Sequence, residues 1–361
     1  MFKRRYRAIL VMSLIIICGV LYIQAKKYID KTSASTPAIY DTAFELLSTP
    51  TDSDVRMVVP CGDPIGIYVK AEGVMVISVG SVNDVSGQKI SPCEGVLKSG
   101  DYITEIDGKA VGDKKELIDI VKASEGKRMT ITVKRQGEQR EVSATPACTE
   151  HGYMLGVWVK DDISGIGTLT YVDENGFVAL GHSINDNDTG LLFSVSDGAI
   201  FKTRLVNIVK PTDSSPGKIE GMIDYTSGNI LGRVEKNNCS GISGYLTADG
   251  ARQMRDEEWM PVAGDEEIHL GTAYLVSGIS GERVYYQIEI EDIDIADDNS
   301  KNMKIRVVDE KLIALSGGIV QGMSGTPIVQ DGKLIGAVTH VFVNDPTRGY
   351  GICISRMLKQ Q

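Results

Sequence analysis

The hydrophobic rhythm of the chain changes several times between its two ends. Ala8 to Ile23 is an apolar run interrupted only by Ser13 and Gly19, and Lys3, Arg4, Arg5 and Arg7 precede it. At about 1.5 Å per residue such a run nearly crosses a hydrocarbon core of roughly 30 Å. The flanking cations predict a cytoplasmic start and an exported remainder. Residues 1–25 therefore read as a basic end followed by a transmembrane anchor. A cleavable signal peptide is the competing reading, but Ile23 stands where a cut after Ala25 wants a small residue. Residues 26–57 are rich in Ser, Thr and Asp and suit a flexible spacer.

From Met57 the apolar period becomes two. The segments Ile65–Lys70 and Gly73–Val79 predict two strands separated by a short turn. Asp113 and Glu116 form a capping box ahead of Leu117, Ile118, Ile120 and Val121, which predicts a short amphipathic helix. Met129–Ala144 predicts a hairpin turning at Gly137. Beyond Cys148 alternating segments recur with turn signals about every 8 to 12 residues, the pattern of a sandwich or barrel. The fold class is mainly β.

Composition adds little to that and excludes several functions. Hydrophobic residues at 42% and charged residues at 24% suit a globular body, and 39 glycines suit one with many turns. A net charge of −10 with no basic stripe argues against nucleic acid. Cys18 lies in the apolar run. The other five cysteines (Cys61, Cys93, Cys148, Cys239, Cys353) contain no CxxC pair, so neither a zinc site nor a disulfide framework is read from them. No metal or organic cofactor is called for.

Two short stretches carry candidate chemistry. In Gly322-Met323-Ser324-Gly325-Thr326-Pro327 the glycines permit a tight turn that exposes the Ser324 hydroxyl. There the N–H groups of Gly322 and Ser324 converge as an oxyanion hole. In Phe177–Ile184 an apolar strand delivers His182 at its end, where a general base for a serine would project. His151 sits beside Glu150 in a linker, His269 precedes a strand, and His340 lies within an apolar strand and reads as structural. The acid that would orient His182 is open between Asp224 and Asp309. Cys239 as an alternative nucleophile has no helix start to lower its pKa.

Residues 58–146 resemble bacterial PDZ domains through Ser91-Pro92, Gly95-Val96-Leu97, Gly100-Asp101, Ile103, Ile106 and Asp107-Gly108. Glu94 departs from the alanine usual before that first glycine. The resemblance implies a peptide strand added at a sheet edge beside a helix, with Ile65, Gly66 and Ile67 gripping the peptide carboxylate. The serine loop and the hairpin after it resemble those of chymotrypsin-like proteases, so residues 147–361 are expected to form a double β-barrel peptidase domain. The whole arrangement resembles the SpoIVB peptidase family, on ALGHSI (179–184) and the stretch from Val307 to Ile352.

That resemblance implies a triad of His182, Asp309 and Ser324, favouring Asp309 over Asp224. It implies a serine endopeptidase of sporulation in the space between forespore and mother-cell membranes. Such an enzyme cleaves itself and then a membrane-bound regulator of an intramembrane protease, which activates a late sigma factor. Its PDZ domain recognises peptide C-termini and gates cleavage. A general envelope PDZ protease and an inactive PDZ scaffold are the rival readings. The first usually carries its barrel before its PDZ domain, the reverse of the order here.

Overall fold

The computed structural model describes residues 56–212, 215–254, 257–295 and 300–359. The expected anchor and most of the expected spacer lie outside them. Among the described residues no helix is long and apolar enough to cross a membrane.

Strand β1 (Pro64–Val79) is one continuous strand of 16 residues, where the sequence predicts two strands and a turn. Its odd positions Ile65, Ile67, Val69, Ala71 and Met75 pack into one core. From Val74 the even positions Val74 and Val76 are buried as well, in a second core. A run such as Val-Met-Val-Ile is what a strand buried on both faces requires. The expected turn is a local kink at Gly73, with φ +84°. A Cβ there would lie 2.3 Å from the Ile103 carbonyl oxygen. Glycine thus lets the strand lie against its neighbour without reversing.

The second core belongs to a small body. Its sheet runs from the far half of β1 through β2 (Tyr102–Ile106) and β3 (Met129–Arg135) to β4 (Glu138–Ala144), all antiparallel. Helix α1 (Lys114–Ala123) covers it with Leu117 and Val121. The helix starts as predicted. The Asp113 carboxylate accepts from the Glu116 N–H at 2.8 Å, and the Glu116 carboxylate accepts from the Gly112 N–H at 2.7 Å. Gln136 and Gly137, with φ of 53° and 84°, make the tight turn between β3 and β4. Asp101 is fully buried and takes two 2.6 Å bonds from Arg135 and one of 2.8 Å from the Lys98 N–H.

The chain then returns along β1 in the 17-residue strand β5 (Val157–Asp173), with Val157 opposite Val79 and Thr168 opposite Pro64. Strands β6 (Gly176–Leu180), β7 (Val195–Val209), β8 (Ile230–Asn238) and β9 (Gly241–Leu246) follow. Their pairings close a ring in the order β1-β5-β6-β9-β8-β7 and back to β1. Ile65, Ile67, Leu169, Phe177, Ile200 and Ile242 fill it. A second closed barrel holds β10 (Gly271–Ser277), β11 (Val284–Ile293), β12 (Met303–Val307), β13 (Pro327–Gln330), β14 (Lys333–Phe342) and β15 (Asp345–Cys353). Its ring order is β10-β11-β12-β15-β14-β13. In both rings the strands run first, second, third, sixth, fifth, fourth.

The small body is therefore inserted into the first hairpin of the first barrel, between β1 and β5. Strands β1 and β5 pair across the expected boundary between residues 58–146 and 147–361. Residues 65–71 of the first segment are barrel wall, and residues 157–160 of the second pair with the part of β1 that bears the small body. The two barrels are joined by the Gly278 N–H donating to the Gly62 carbonyl at 2.9 Å and by Arg283, which pairs with Asp63 at 2.6 Å and with Glu257.

Candidate active site

Strand β6 ends in Leu180, which holds φ at 76° although it has a side chain, and Gly181 follows at 72°. Two left-handed residues in succession swing the chain off the barrel wall and set His182 at the junction of the two barrels. The Nδ1 atom of His182 lies 2.9 Å from the Ser183 carbonyl oxygen. A carbonyl only accepts, so Nδ1 carries the proton and Nε2 is left as the basic nitrogen. Burial holds the pKa of His182 below the ordinary histidine value, against the pull of that carbonyl.

Ser324 arrives from the second barrel, just before β13. Gly322 and Gly325 take φ of 101° and 96°. A Cβ on Gly325 would stand 2.3 Å from the Thr168 carbonyl oxygen and 2.5 Å from the Leu180 nitrogen, so only glycine seats the loop against the first barrel. Thr168 of β5 secures it. Its N–H donates to the Ser324 carbonyl at 3.0 Å and its hydroxyl to the Gly322 carbonyl at 2.7 Å. From the second barrel the Val338 carbonyl accepts from the Gly325 N–H at 2.8 Å. The Ser324 hydroxyl donates to the Thr339 carbonyl at 2.8 Å. Among the described residues neither the Gly322 N–H nor the Ser324 N–H has a partner, which leaves both available to an oxyanion.

The structure thus brings His182, Gly322 and Ser324 to one seam. The Asp309 carboxylate is not hydrogen-bonded to His182. The Asp309 carboxylate caps helix α2 (Glu310–Ser316), accepting from the N–H groups of Lys311 at 2.9 Å and Leu312 at 3.1 Å, and from that of Gln287 at 3.3 Å. Asp224 lies exposed in a turn and accepts from the Thr226 N–H at 3.0 Å. Among the described residues no carboxylate is hydrogen-bonded to His182.

His340 on β14, read from the sequence as structural, has its ring centroid 5.0 Å from that of His182 with the planes 38° apart. Nothing local marks it, because its neighbour comes from the other barrel. Of the remaining histidines, His269 pairs with Asp331 at 2.7 Å on the surface, and His151 is exposed in a turn.

Ile65, Gly66 and Ile67 are not a loop, which corrects the expected carboxylate grip. They lie opposite Gly167, Ile166 and Gly165 of β5 and, on the other side, Lys202, Phe201 and Ile200 of β7. A strand paired on both edges has no ladder left for a peptide. Gly66 is required for packing instead, since a Cβ there would meet Ile223 and Thr203 at under 3 Å. Cys61, Cys93 and Cys353 are buried, and burial pushes the thiols of Cys93 and Cys353 up to about 12. Cys148 and Cys239 are exposed and free. No cluster of candidate metal ligands occurs among the described residues.

Comparison with known proteins agrees with both halves of the chain. A PDZ domain model matches residues 58–145. The crystal structure of the PDZ domain of an SdrC-like protein from Listeria monocytogenes is 30% identical, covering 25% of this chain and 90% of its own, at a TM-score of 0.21. The solution structure of the second domain of the listeria protein Lin2157 is 33% identical, covering 29% of this chain and 88% of its own, at a TM-score of 0.19. Among curated proteins none matches the chain. The model of the SpoIVB peptidase S55 matches residues 151–358, more than half of the sequence, and the chain belongs to that family.

Proposed function

We propose that this PDZ-containing serine peptidase is an extracytoplasmic endopeptidase in which Ser324 is the nucleophile and His182 its general base. The observation that carries the reading is the seam itself. A serine hydroxyl and two unpartnered N–H groups, on a glycine turn of one barrel, sit beside a histidine whose tautomer leaves Nε2 basic. In acyl transfer the Ser324 hydroxyl turns from the Thr339 carbonyl toward His182. Nε2 takes the hydroxyl proton as Oγ attacks the scissile carbonyl carbon. The oxyanion accepts from the N–H groups of Gly322 and Ser324. His182 passes its proton to the leaving amine, and water, deprotonated by the same nitrogen, releases the acyl group.

The substrates we propose are the chain's own spacer, within residues 26–56, and then a membrane-bound regulator of an intramembrane protease in a sporulating cell. The basic amino end and apolar run support a membrane anchor and an extracytoplasmic location. The small PDZ-like body, wired into the barrel that bears His182, supports a gating role for it.

The test is the purified full chain beside Ser324→Ala, followed by mass spectrometry of its fragments. Discrete fragments from the wild type, absent from the variant and restored when wild type is added in trans, are the expected result. Identical fragmentation of both proteins, or none from either even with a regulator-derived peptide present, would overturn the reading.

A further inference from the structure

Resting on the acyl-transfer reading above, we infer that a hairpin at the far end of β7 clamps the oxyanion hole, with Gly217 and Ile219 as positioning residues for the Gly322 N–H. The pairing of β7 with β1 ends at Lys202. From Thr203 to Val209 β7 pairs instead with the strand Lys218–Ile223. Leu205, Ile208 and Ile219 of this hairpin pack into the core of the second barrel. Lys210 donates to the Ala314 carbonyl of α2 at 2.6 Å. The first barrel thus reaches across the seam and rests on the second, beside the serine loop.

There the hairpin makes two backbone bonds to one residue. The Gln321 N–H donates to the Gly217 carbonyl, and the Ile219 N–H donates to the Gln321 carbonyl, each at 2.8 Å. The Gln321–Gly322 peptide is trans, so its C=O and N–H point in opposite directions. Anchoring the Gln321 carbonyl on the hairpin therefore turns the Gly322 N–H away from it, free for an oxyanion. Gly322 does not set this direction itself, because glycine takes either sign of φ at little cost. A half-turn of the peptide plane would aim the Gln321 carbonyl oxygen where the N–H now points, and there it would repel an oxyanion. The close approach uses glycine on both sides. A Cβ on Gly217 would lie 2.5 Å from the Val209 carbonyl oxygen and 2.7 Å from Val320, and one on Gly322 would lie 3.1 Å from the Ile219 Cβ.

The experiment uses the full chain and a fluorogenic peptide that the wild type cleaves, with kcat and KM measured for wild type, Ile219→Pro, Ile219→Val, Gly217→Ala and Ser324→Ala. Inhibition by a peptidyl trifluoromethyl ketone and by the corresponding alcohol is measured beside them. With the ketone, Ser324 Oγ bonds to the carbonyl carbon, the hydroxyl proton passes to His182, and the carbonyl oxygen becomes an alkoxide that occupies the hole. The alcohol has no carbonyl to attack and reports peptide binding alone. Loss of one oxyanion donor costs about 10²-fold or more in kcat. Ile219→Pro, which lacks the N–H, and Gly217→Ala, which lifts the strand, should lose about that much in kcat and in affinity for the ketone. Their KM and alcohol affinity should stay within about threefold of wild type. Ile219→Val keeps the N–H and should lose no more than about fivefold in kcat. Wild-type kcat in a folded Ile219→Pro or Gly217→Ala would overturn the proposal. So would a fall in kcat with ketone affinity retained, or an equal fall in affinity for ketone and alcohol. Where circular dichroism shows one of the two variants unfolded, the other decides. Turnover by Ser324→Ala equal to wild type would instead sink the acyl-transfer reading beneath it.

Discussion

Asp309 commits its carboxylate to three backbone N–H groups, two of them opening α2. In the sequence Val-Val-Asp-Glu-Lys-Leu-Ile-Ala-Leu-Ser-Gly-Gly the aspartate reads equally as an N-cap, and Gly317, with φ 80°, as the matching C-cap. Resemblance to the family implies a catalytic place for Asp309, and its local hydrogen bonds show it as the cap of α2. Serine also caps helices well. Asp309→Ser is therefore expected to keep kcat within about threefold, whereas Asp309→Ala should lower stability by about 1 kcal/mol through loss of the cap. A kcat in Asp309→Ser as low as that of Ser324→Ala would return the carboxylate to the machinery.

Ser324 and His182 were legible because each is announced locally, one by flanking glycines and one by an apolar strand that ends in it. The contact of His340 with His182 was not, because it depends on the docking of two barrels. Burial of His182 also sets a pH dependence. Its pKa in the folded protein is lowered, so the unfolded chain takes up the proton first as pH falls. The stability that the neutral ring contributes is complete above the ordinary histidine value and declines as pH drops from there to the lowered one. The acid limb of kcat/KM should likewise fall below about 6.5, measurable with a fluorogenic peptide that the wild type cleaves.

At the scale of elements, capping and turn chemistry were readable and strand continuity was not. Asp113 and Glu116 announced α1, and Gly137 announced its hairpin. Ala71-Glu72-Gly73 looks like a turn, yet β5 and β7 pair along the first half of β1, and β5 and β2 along the second. Those partners arrive from far along the chain, and they decide whether the glycine reverses the strand or only kinks it. The serine loop shows how narrow such fits are. Gly325→Ala places a methyl 2.3 Å from the Thr168 carbonyl oxygen, in a backbone conformation that alanine resists. The loop has to lift off the first barrel, so peptide cleavage should fall by about 10²-fold or more while circular dichroism still reports a folded β protein. Cleavage at the wild-type rate would show that the seam tolerates more movement than its contacts allow.

At the scale of the molecule, alternating segments beyond Cys148 foretold a mainly β body, but not that its first strand would lie within the PDZ region. The consequence is cooperative. Asp101 is wholly buried in the small body and bonded to Arg135. Removing one partner of a buried pair costs about 3 kcal/mol. In Asp101→Ala, hydrogen exchange followed by mass spectrometry should accelerate in residues 165–171 and 177–180 of the first barrel as well as in residues 74–145. Acceleration confined to the small body would mean that the two unfold separately despite their shared strands.

Strand β5 runs from the small body at Val159 to Thr168, the residue that fastens the serine loop, over about 30 Å of extended backbone. Between those points there is no interface to cross, and after one irregularity beside Lys160 the ladder to β1 runs unbroken from Asp162 to Thr168. A pull or twist applied by anything that grips the small body is delivered axially, as through a push-rod, to the two carbonyls on either side of Met323. The peptidase barrel and the small body are in that sense one mechanical part, and a cut made to separate them would break the barrel.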